Sequence, residues 1–321
     1  MRVLSIEFTD SWSWGLVFNE FKKISNYEIK RFFMKNRNMK ILSRPDIDVY
    51  LVQNVTLLNR VKEKIKTVCR LGGNRSFEGR DIDPILERMS KCFALIATNN
   101  GLYQIAKSVN ENTYLIPNGL NLDEWKPAEK SSSDMLGMNN SPLKSSLFAR
   151  PFTVGFCGNI STEIYKNYKG YDFVFEACKN LGVELKTALY KNEQIPHEKM
   201  QELFYSQIDC IVHPTLGEGC SNTLMEASAC GVPIITTREA GYHGEMMQDG
   251  IDVLFCERST ASVQSKISMI KDSPELQKSL SANARKFAEN HHDVKKIALQ
   301  YEEIFQACHE KTKTVVREIK L

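Results

Sequence analysis

Twice along its 321 residues the chain alternates short β-branched or aromatic runs with longer segments of helical periodicity. In the first series VLSIEF (3–8) precedes SWSWGLVFNEFKKI, whose apolar residues recur at helical spacing. DVYLV (48–52), TLLNRVKEKI, KTVCRL (66–71), DPILERMSKC, FALIAT (93–98), GLYQIAKSV and NTYLIP (112–117) follow. The second series has strand-like FTVGFCG (152–158), ELKTALY (184–190), DCIVHP (209–214), VPIITT (232–237) and DVLFC (252–256). Its helical segments are YDFVFEACKNL, HEKMQELFYSQ, SNTLMEASAC and long runs from 259 to 311. Such alternation predicts βαβ units around parallel sheets, and the length suits two cores. Between the series, residues 128–150 are rich in Ser, Asn, Gly and Pro and read as a linker. Two α/β domains, 1–127 and 151–292, would then face each other across a cleft. Ligands of open parallel sheets sit at the carboxyl ends of the strands, near the switch in strand order.

Bulk properties narrow the class. With 42% apolar and 25% charged residues the composition is that of a globular protein, and no apolar run reaches membrane-span length. The N-terminus lacks a signal-peptide pattern, and MRVLSIEF reads as a first strand. Nine cysteines lack C-x-x-C pairing, and several (Cys92, Cys157, Cys210) sit in apolar runs; free thiols and a cytoplasmic setting are expected, neither disulfides nor zinc. The net charge of +3 is uneven. Residues 1–126 hold 20 Lys/Arg against 14 Asp/Glu, and the rest hold 22 against 25. A basic first half suits an anionic partner, such as nucleic acid, a membrane surface or a phosphorylated acceptor; a merely solvated surface is the alternative.

The segment LGEGCSNTLMEASACGVPIITT (216–237) carries the most chemistry. A strand ends at Pro214, a loop follows, and Ser221 or Asn222 can cap a helix. A helix amino end offers unpaired N–H groups and positive potential, which attract phosphate. Gly219 permits close approach to the backbone. Glu226 lies about one turn in, roughly 6 Å along the axis from Asn222, and its side chain leans back toward the amino end. A carboxylate there accepts hydrogen bonds from a pair of sugar hydroxyls, and Glu218 in the loop can do the same for a second sugar. Anion donors between two hydroxyl acceptors match sugar–diphosphate–ribose. Two incidental surface glutamates are the competing reading.

EGCSNTLMEASACGVPII resembles the E-x7-E signature of GT-B glycosyltransferases, most like glycosyltransferase family 4. YLIPNGLNLDEWKP (114–127), VGFCGN with KNYKGYDFVFEA, and AGYHGEMMQDGIDVLF agree in order and spacing. The resemblance covers about residues 90–127 and 152–256 and is weak over 1–90. It implies two Rossmann-like domains, the second binding a nucleotide-diphospho-sugar, with the helix from about 293 to 321 packing back on the first. It implies retaining transfer to an acceptor hydroxyl by front-face attack, with neither metal nor cofactor. Carried over residue by residue, Glu226 holds the ribose, Glu218 the donor sugar, and Lys169 the departing diphosphate. The backbone N–H groups of Gly219, Cys220, Ser221, Asn222 and Thr223 meet the sugar and diphosphate, and Gly158 allows their close approach. Where the family has an arginine after the strand glycine this chain has Asn159, and Lys166 or Arg238 are the candidate stand-ins. The family's acceptor-domain histidine has no counterpart, because all six histidines lie at 197 or beyond.

Other residues extend the candidate site. Arg70, Arg75 and Arg80 bracket the loop LGGNRSFEGR and can bind phosphates of the donor or of an anionic acceptor. Trp12, Trp14 and Gly15, in the first post-strand loop, can meet a sugar or base, with core packing an equal reading for the indoles. Asp46–Asp48 and Asp81–Asp83 match D-x-D superficially, but their places at a strand start and before a helix argue against a metal. His213 reads as structural, and His291–His292 lacks the acidic neighbours expected of a zinc site. The expectation is a cytoplasmic glycosyltransferase, peripheral at the inner membrane face if its acceptor is a membrane-associated glycan or lipid; a modified DNA base is the other acceptor class. A nucleotide-sugar-binding module without transfer activity is the alternative.

Overall fold

The computed structural model describes residues 1–7, 19, 21–33, 44–62, 64–73, 77, 79, 81–127, 150–190 and 195–319. Among these, the first half forms β1 (Arg2–Glu7), β2 (Glu28–Phe33), β3 (Val49–Val52), β4 (Thr67–Leu71), α1 (Asp83–Ser90), β5 (Ala94–Ala97), α2 (Asn100–Lys107) and β6 (Thr113–Leu115). The strands pair in the order β2-β1-β3-β4-β5-β6, all parallel. Alternate residues divide between two cores, as the two-residue period of a strand requires. Leu4, Tyr50, Cys69 and Leu95 face α1 and α2, whereas Val3, Val49, Val68 and Ala94 face the other side. The sequence pattern missed β2. EIKRFF is only partly buried at the sheet edge, so its apolar signal is weak. TLLNRVKEKI, read as one helix, is two 3₁₀ turns, Val55–Arg60 and Lys64–Lys66.

The second half forms β7 (Thr153–Gly158), α3 (Glu163–Lys169), α4 (Tyr171–Leu181), β8 (Glu184–Leu189), α5 (Met200–Leu203), β9 (Cys210–His213), α6 (Asn222–Ala229), β10 (Ile234–Thr236), α7 (Tyr242–Met246), β11 (Leu254–Phe255), α8 (Thr260–Lys271) and α9 (Pro274–His291). Its parallel sheet runs β11-β10-β9-β7-β8. Strand order therefore reverses beside β7, and the crevice between the carboxyl ends of β7 and β9 is the natural ligand site. One face packs on α4 and α8 through Val174, Val263 and Ile267; the other packs on α6 and α9 through Leu224 and Phe287.

The chain then returns to the first sheet. After His292, α10 (Val294–Ile319) lays Ile297, Tyr301, Ile304, Phe305 and Cys308 against Val3, Val49, Val68 and Ile96. Gly119 makes this crossing possible, since a Cβ there would lie 2.9 Å from the Val294 Cα. Residues 128–149 of the expected linker lie outside the described residues; Arg150 at its end grips Asp209 with two hydrogen bonds of 2.7 and 2.8 Å.

Candidate functional site

Lys169 is placed by a glycine. Gly170 ends α3 and opens α4 with φ 70°, and a Cβ there would lie 2.5 Å from the Pro214 carbonyl oxygen. The left-handed conformation and the close approach both exclude other residues. The Leu216 N–H donates to the Tyr168 carbonyl at 2.9 Å, so the loop after β9 is tied to the end of α3. Lys169 Nζ consequently forms an ion pair with Glu218 Oε1, the two side chains 19% and 18% exposed. Thr215 Oγ1 lies 3.4 Å from the same oxygen and His213 Nε2 3.2 Å. Burial alone pushes the Glu218 carboxyl up, but the Lys169 ammonium and the His213 hydrogen bond outweigh it and bring the pKa down to about 2. Burial and the Lys169 charge lower the His213 pKa. At neutral pH His213 is therefore an uncharged imidazole whose Nε2–H donates to Glu218.

Glu226 sits on α6, behind the helix's first turn and 6% exposed. Tyr205 O–H donates to its Oε2 at 2.8 Å, and His197 Nε2 lies 3.0 Å from Oε1. A carboxylate has about four lone-pair positions, so two remain for a ligand while the orientation is fixed. Tyr205 reaches Glu226 because the segment read as one helix, HEKMQELFYSQ, breaks at Phe204 (φ −126°, ψ −67°). The His197 ring packs on Trp125 with centroids 5.0 Å apart. Both line a cleft of about 770 Å³ between the halves, with Lys22, Lys23, Glu198 and Gln201 also on its wall.

Between the two acids, Ser221 caps α6 by accepting from the Leu224 N–H at 3.5 Å. The first half of the chain holds this loop from outside. Asn99 Nδ2 donates to the Glu218 and Gly219 carbonyls at 3.0 and 3.3 Å. Asn118 Nδ2 donates to the Cys220 carbonyl at 3.0 Å and to Asn222 Oδ1 at 2.7 Å. Gly219 is forced by the same contact, since its Cβ would lie 2.1 Å from the Gly72 carbonyl oxygen. Gly158 differs. A Cβ there would meet Lys169 Cγ at 3.7 Å, an ordinary contact, so the protein's own packing does not require glycine at the end of β7.

Two parallel sheets that meet at such a cleft, with a crossing C-terminal helix, define a known architecture. The structure superposes on that of the Anabaena protein HepE in complex with UDP with a TM-score of 0.72, at 16% identity, covering 96% of this chain and 100% of that one. It superposes on sucrose-phosphate synthase from Thermosynechococcus elongatus with a TM-score of 0.70, at 13% identity, covering 96% and 99%. The fold is GT-B. Residues 169–287 match the family model for glycosyl transferases group 1. An uncharacterized glycosyltransferase of Methanocaldococcus jannaschii is 27% identical over 140 residues, 37% of this chain. That match spans 40% of the relative's length.

Within the GT-B frame, Lys169, Glu218, Glu226, Gly158 and the loop Gly219–Thr223 lie together at the switch point of the second sheet. Asn159 Oδ1 accepts from the Ser161 N–H at 2.9 Å, so its side chain shapes the loop after β7. Of the candidate arginine stand-ins, Lys166 pairs with Asp172 at 2.7 Å and Arg238 lies over the Phe255 ring at 4.3 Å. The expectation for Arg70 is corrected. It is 3% exposed and donates to Tyr301 Oη at 3.0 Å and to Asn118 Oδ1 at 2.5 Å, a strut behind the Gly219–Thr223 loop and not a phosphate contact in the cleft. Trp12, Trp14, Gly15, Arg75 and Arg80 lie outside the described residues. His213, read as structural, is fully buried and holds Glu218 through its Nε2 at 3.2 Å. Among the described residues no helix is long and apolar enough to cross a membrane.

Sequence reasoning missed the partners that arrive from elsewhere in the chain: Asn99, Asn118, His197, Tyr205 and Glu245. Glu245 accepts from the Asn100 and Gly101 N–H groups at 2.6 and 3.3 Å, capping a helix of the opposite domain. It also missed a buried pair at the switch point of the first sheet, where Glu7 takes two hydrogen bonds from Arg31 at 3.0 and 2.6 Å. The only hint of that pair in the sequence is an acid at the end of β1 and a base in the unrecognised β2.

Proposed function

We propose that this protein is a retaining glycosyltransferase that moves a sugar from a nucleotide-diphospho-sugar to an acceptor hydroxyl without a catalytic metal. The observation that carries the proposal is the set at the β7–β9 crevice, a lysine–glutamate pair at the entry of α6 with a fixed carboxylate one turn inside it. The diphosphate takes the N–H groups at the amino end of α6. Lys169 has three N–H donors, so it can keep Glu218 and still meet a diphosphate oxygen as negative charge grows on the leaving group. Glu218, ionised at any working pH, accepts from donor-sugar hydroxyls. Glu226, pinned by Tyr205 and His197, accepts from the ribose diol. The group 1 match and the complexes of HepE with UDP and with UDP-glucose support this donor class. The acceptor enters from the first domain, whose excess of Lys and Arg over residues 1–126 suits an anionic one, a membrane-associated glycan or lipid or a modified DNA base.

The test is to incubate the protein with a panel of nucleotide sugars and acceptors and measure release of free nucleoside diphosphate. Release with one donor, slowed about 10²–10³-fold in Lys169→Ala, is expected. Donor binding without release across the panel would instead favour a nucleotide-sugar-binding module. Binding of neither kind would remove the site assignment. Added Mg²⁺ or Mn²⁺ should leave the rate unchanged. Binding to DNA that falls steeply with salt would select the nucleic-acid acceptor.

A further inference from the structure

Behind the donor loop three residues from separate stretches converge. Cys220 precedes α6, His243 lies in α7, and His292 follows α9. One ligand atom from each lies within 4.8 Å of the others, and all three residues are buried. The convergence is built in. Cys220 forms an isolated antiparallel bridge with Gly241, and the Tyr242 N–H donates to the Gly219 carbonyl at 2.9 Å. Gly241 has φ 62°, and its Cβ would lie 2.3 Å from the Glu218 carbonyl oxygen, so only glycine lets His243 come this close to Cys220.

The two imidazoles pack in an aromatic cluster with Tyr242 and Phe287, which accounts for their ring faces but not for their ring nitrogens. Nδ1 of His292 donates to the Asn118 carbonyl at 2.8 Å, which fixes the tautomer and leaves Nε2 with its lone pair exposed. Among the described residues that Nε2 has no hydrogen-bond partner, and neither do Nδ1 and Nε2 of His243. Both histidines are 0% exposed, and their rings lie 5.0 Å apart. A buried polar group without a partner costs about 1–3 kcal/mol, and three such nitrogens side by side are a standing penalty in an otherwise well-packed region.

We propose that Cys220, His243 and His292 bind one zinc(II) ion. The donor set is one thiolate and two neutral imidazoles, the ligands zinc takes, and it contains no carboxylate to favour magnesium or calcium. Zinc bonds of ~2.0–2.3 Å require the ligand atoms to draw together by about 1 Å, within the reach of side-chain rotation. Three protein ligands leave a fourth position for water. The thiol gives up its proton on binding, and that proton leaves to solvent. The sequence expectation concerns acidic neighbours of His292; the partners proposed here stand 72 and 49 residues back in the chain, and neither is acidic. Its role is to fasten the Glu218–Ser221 loop to α7 and to the crossing that leads into α10. Its ligands are the Cys220 thiolate and two imidazoles, whereas the transfer proposed above uses the backbone N–H groups of that loop with Lys169, Glu218 and Glu226, so the two proposals rest on different atoms.

The test uses the full chain without a histidine tag. After dialysis against zinc(II) and desalting, elemental analysis should find about one zinc per chain, and the ion should raise the melting temperature. Cys220→Ser, His243→Asn and His292→Ala should each lower zinc affinity at least tenfold, whereas His291→Ala should keep it. Cobalt(II) in place of zinc should give a thiolate-to-cobalt charge-transfer band, absent from Cys220→Ser. If the variants fail to fold, the cobalt spectrum of the unmodified protein decides alone. Wild-type protein that takes up no zinc, zinc content unaffected by Cys220→Ser, or a cobalt spectrum with no thiolate band would each overturn the site.

Discussion

At the scale of single residues, three charges, Lys169, Glu218 and Glu226, and two histidines, His197 and His213, define the candidate site. Lys169→Ala should lower kcat by about 10²–10³-fold with little change in donor KM, because its contribution grows as the diphosphate departs. Glu226→Gln keeps an oxygen for Tyr205 but loses charge-assisted bonds to the ribose, and donor KM should rise about tenfold or more with a smaller change in kcat. Steady-state kinetics with nucleoside diphosphate release as readout separates the two; equal effects on kcat and KM in both variants would undo the division of roles. Glu218 has a folded pKa of about 2 against an ordinary 4.5. The unfolded chain takes that proton first as pH falls, so its contribution to stability is complete above 4.5 and is lost between 4.5 and 2. His213, held below 6.5 in the fold, is protonated first in the unfolded chain, and stability drains as pH drops under 6.5. Urea midpoints should decline from pH 7 to 5, and His213→Asn should make that limb shallower without removing it, because burial also holds His243, His291 and His292 below 6.5; Glu218→Gln should likewise make the limb below 4.5 shallower.

Elements decide where those residues stand. Gly170→Ala must hold a left-handed φ and push a methyl against the Pro214 carbonyl; it should cost about 2–4 kcal/mol and lower the melting temperature by about 5–10 °C. Gly158→Ala meets only ordinary contacts, so the fold should keep its stability while donor affinity falls if the diphosphate lies there. Thermal melts and donor titrations of the pair distinguish structural from ligand-imposed glycine. This scale also shows what the sequence made legible. Glu218, Ser221 and Glu226 share one strand–loop–helix unit, whose capping and spacing are local, so they could be read directly. HEKMQELFYSQ could not, because Phe204 and Tyr205 are neighbours that are both buried, and the backbone turns out of the helix to bury them. Arg70 was misread for a related reason. Its place at a strand end is visible in sequence, but Tyr301, which claims its guanidinium, arrives 231 residues later.

For the whole molecule, the two halves are joined by polar contacts on the donor loop and by the apolar face of α10. Phe305→Ala, which empties a fully buried position in the first sheet's core, should cost about 3–5 kcal/mol and destabilise the first domain although it follows the second sheet in sequence. Glu245→Gln weakens the cap across the cleft and should loosen closure, seen as faster amide exchange in α2 with the rest of each sheet unchanged. Exchange confined to α7 would argue that the contact carries no coupling. The first sheet is completed by residues 297–308, after the entire second sheet has been made. During synthesis on the ribosome, Val3, Val49, Val68 and Ile96 therefore leave the exit tunnel before the α10 side chains that pack against them, with Phe21 and Ile116 the earlier members of the same cluster. The nascent chain gains the last of that cover only when α10 clears the exit tunnel.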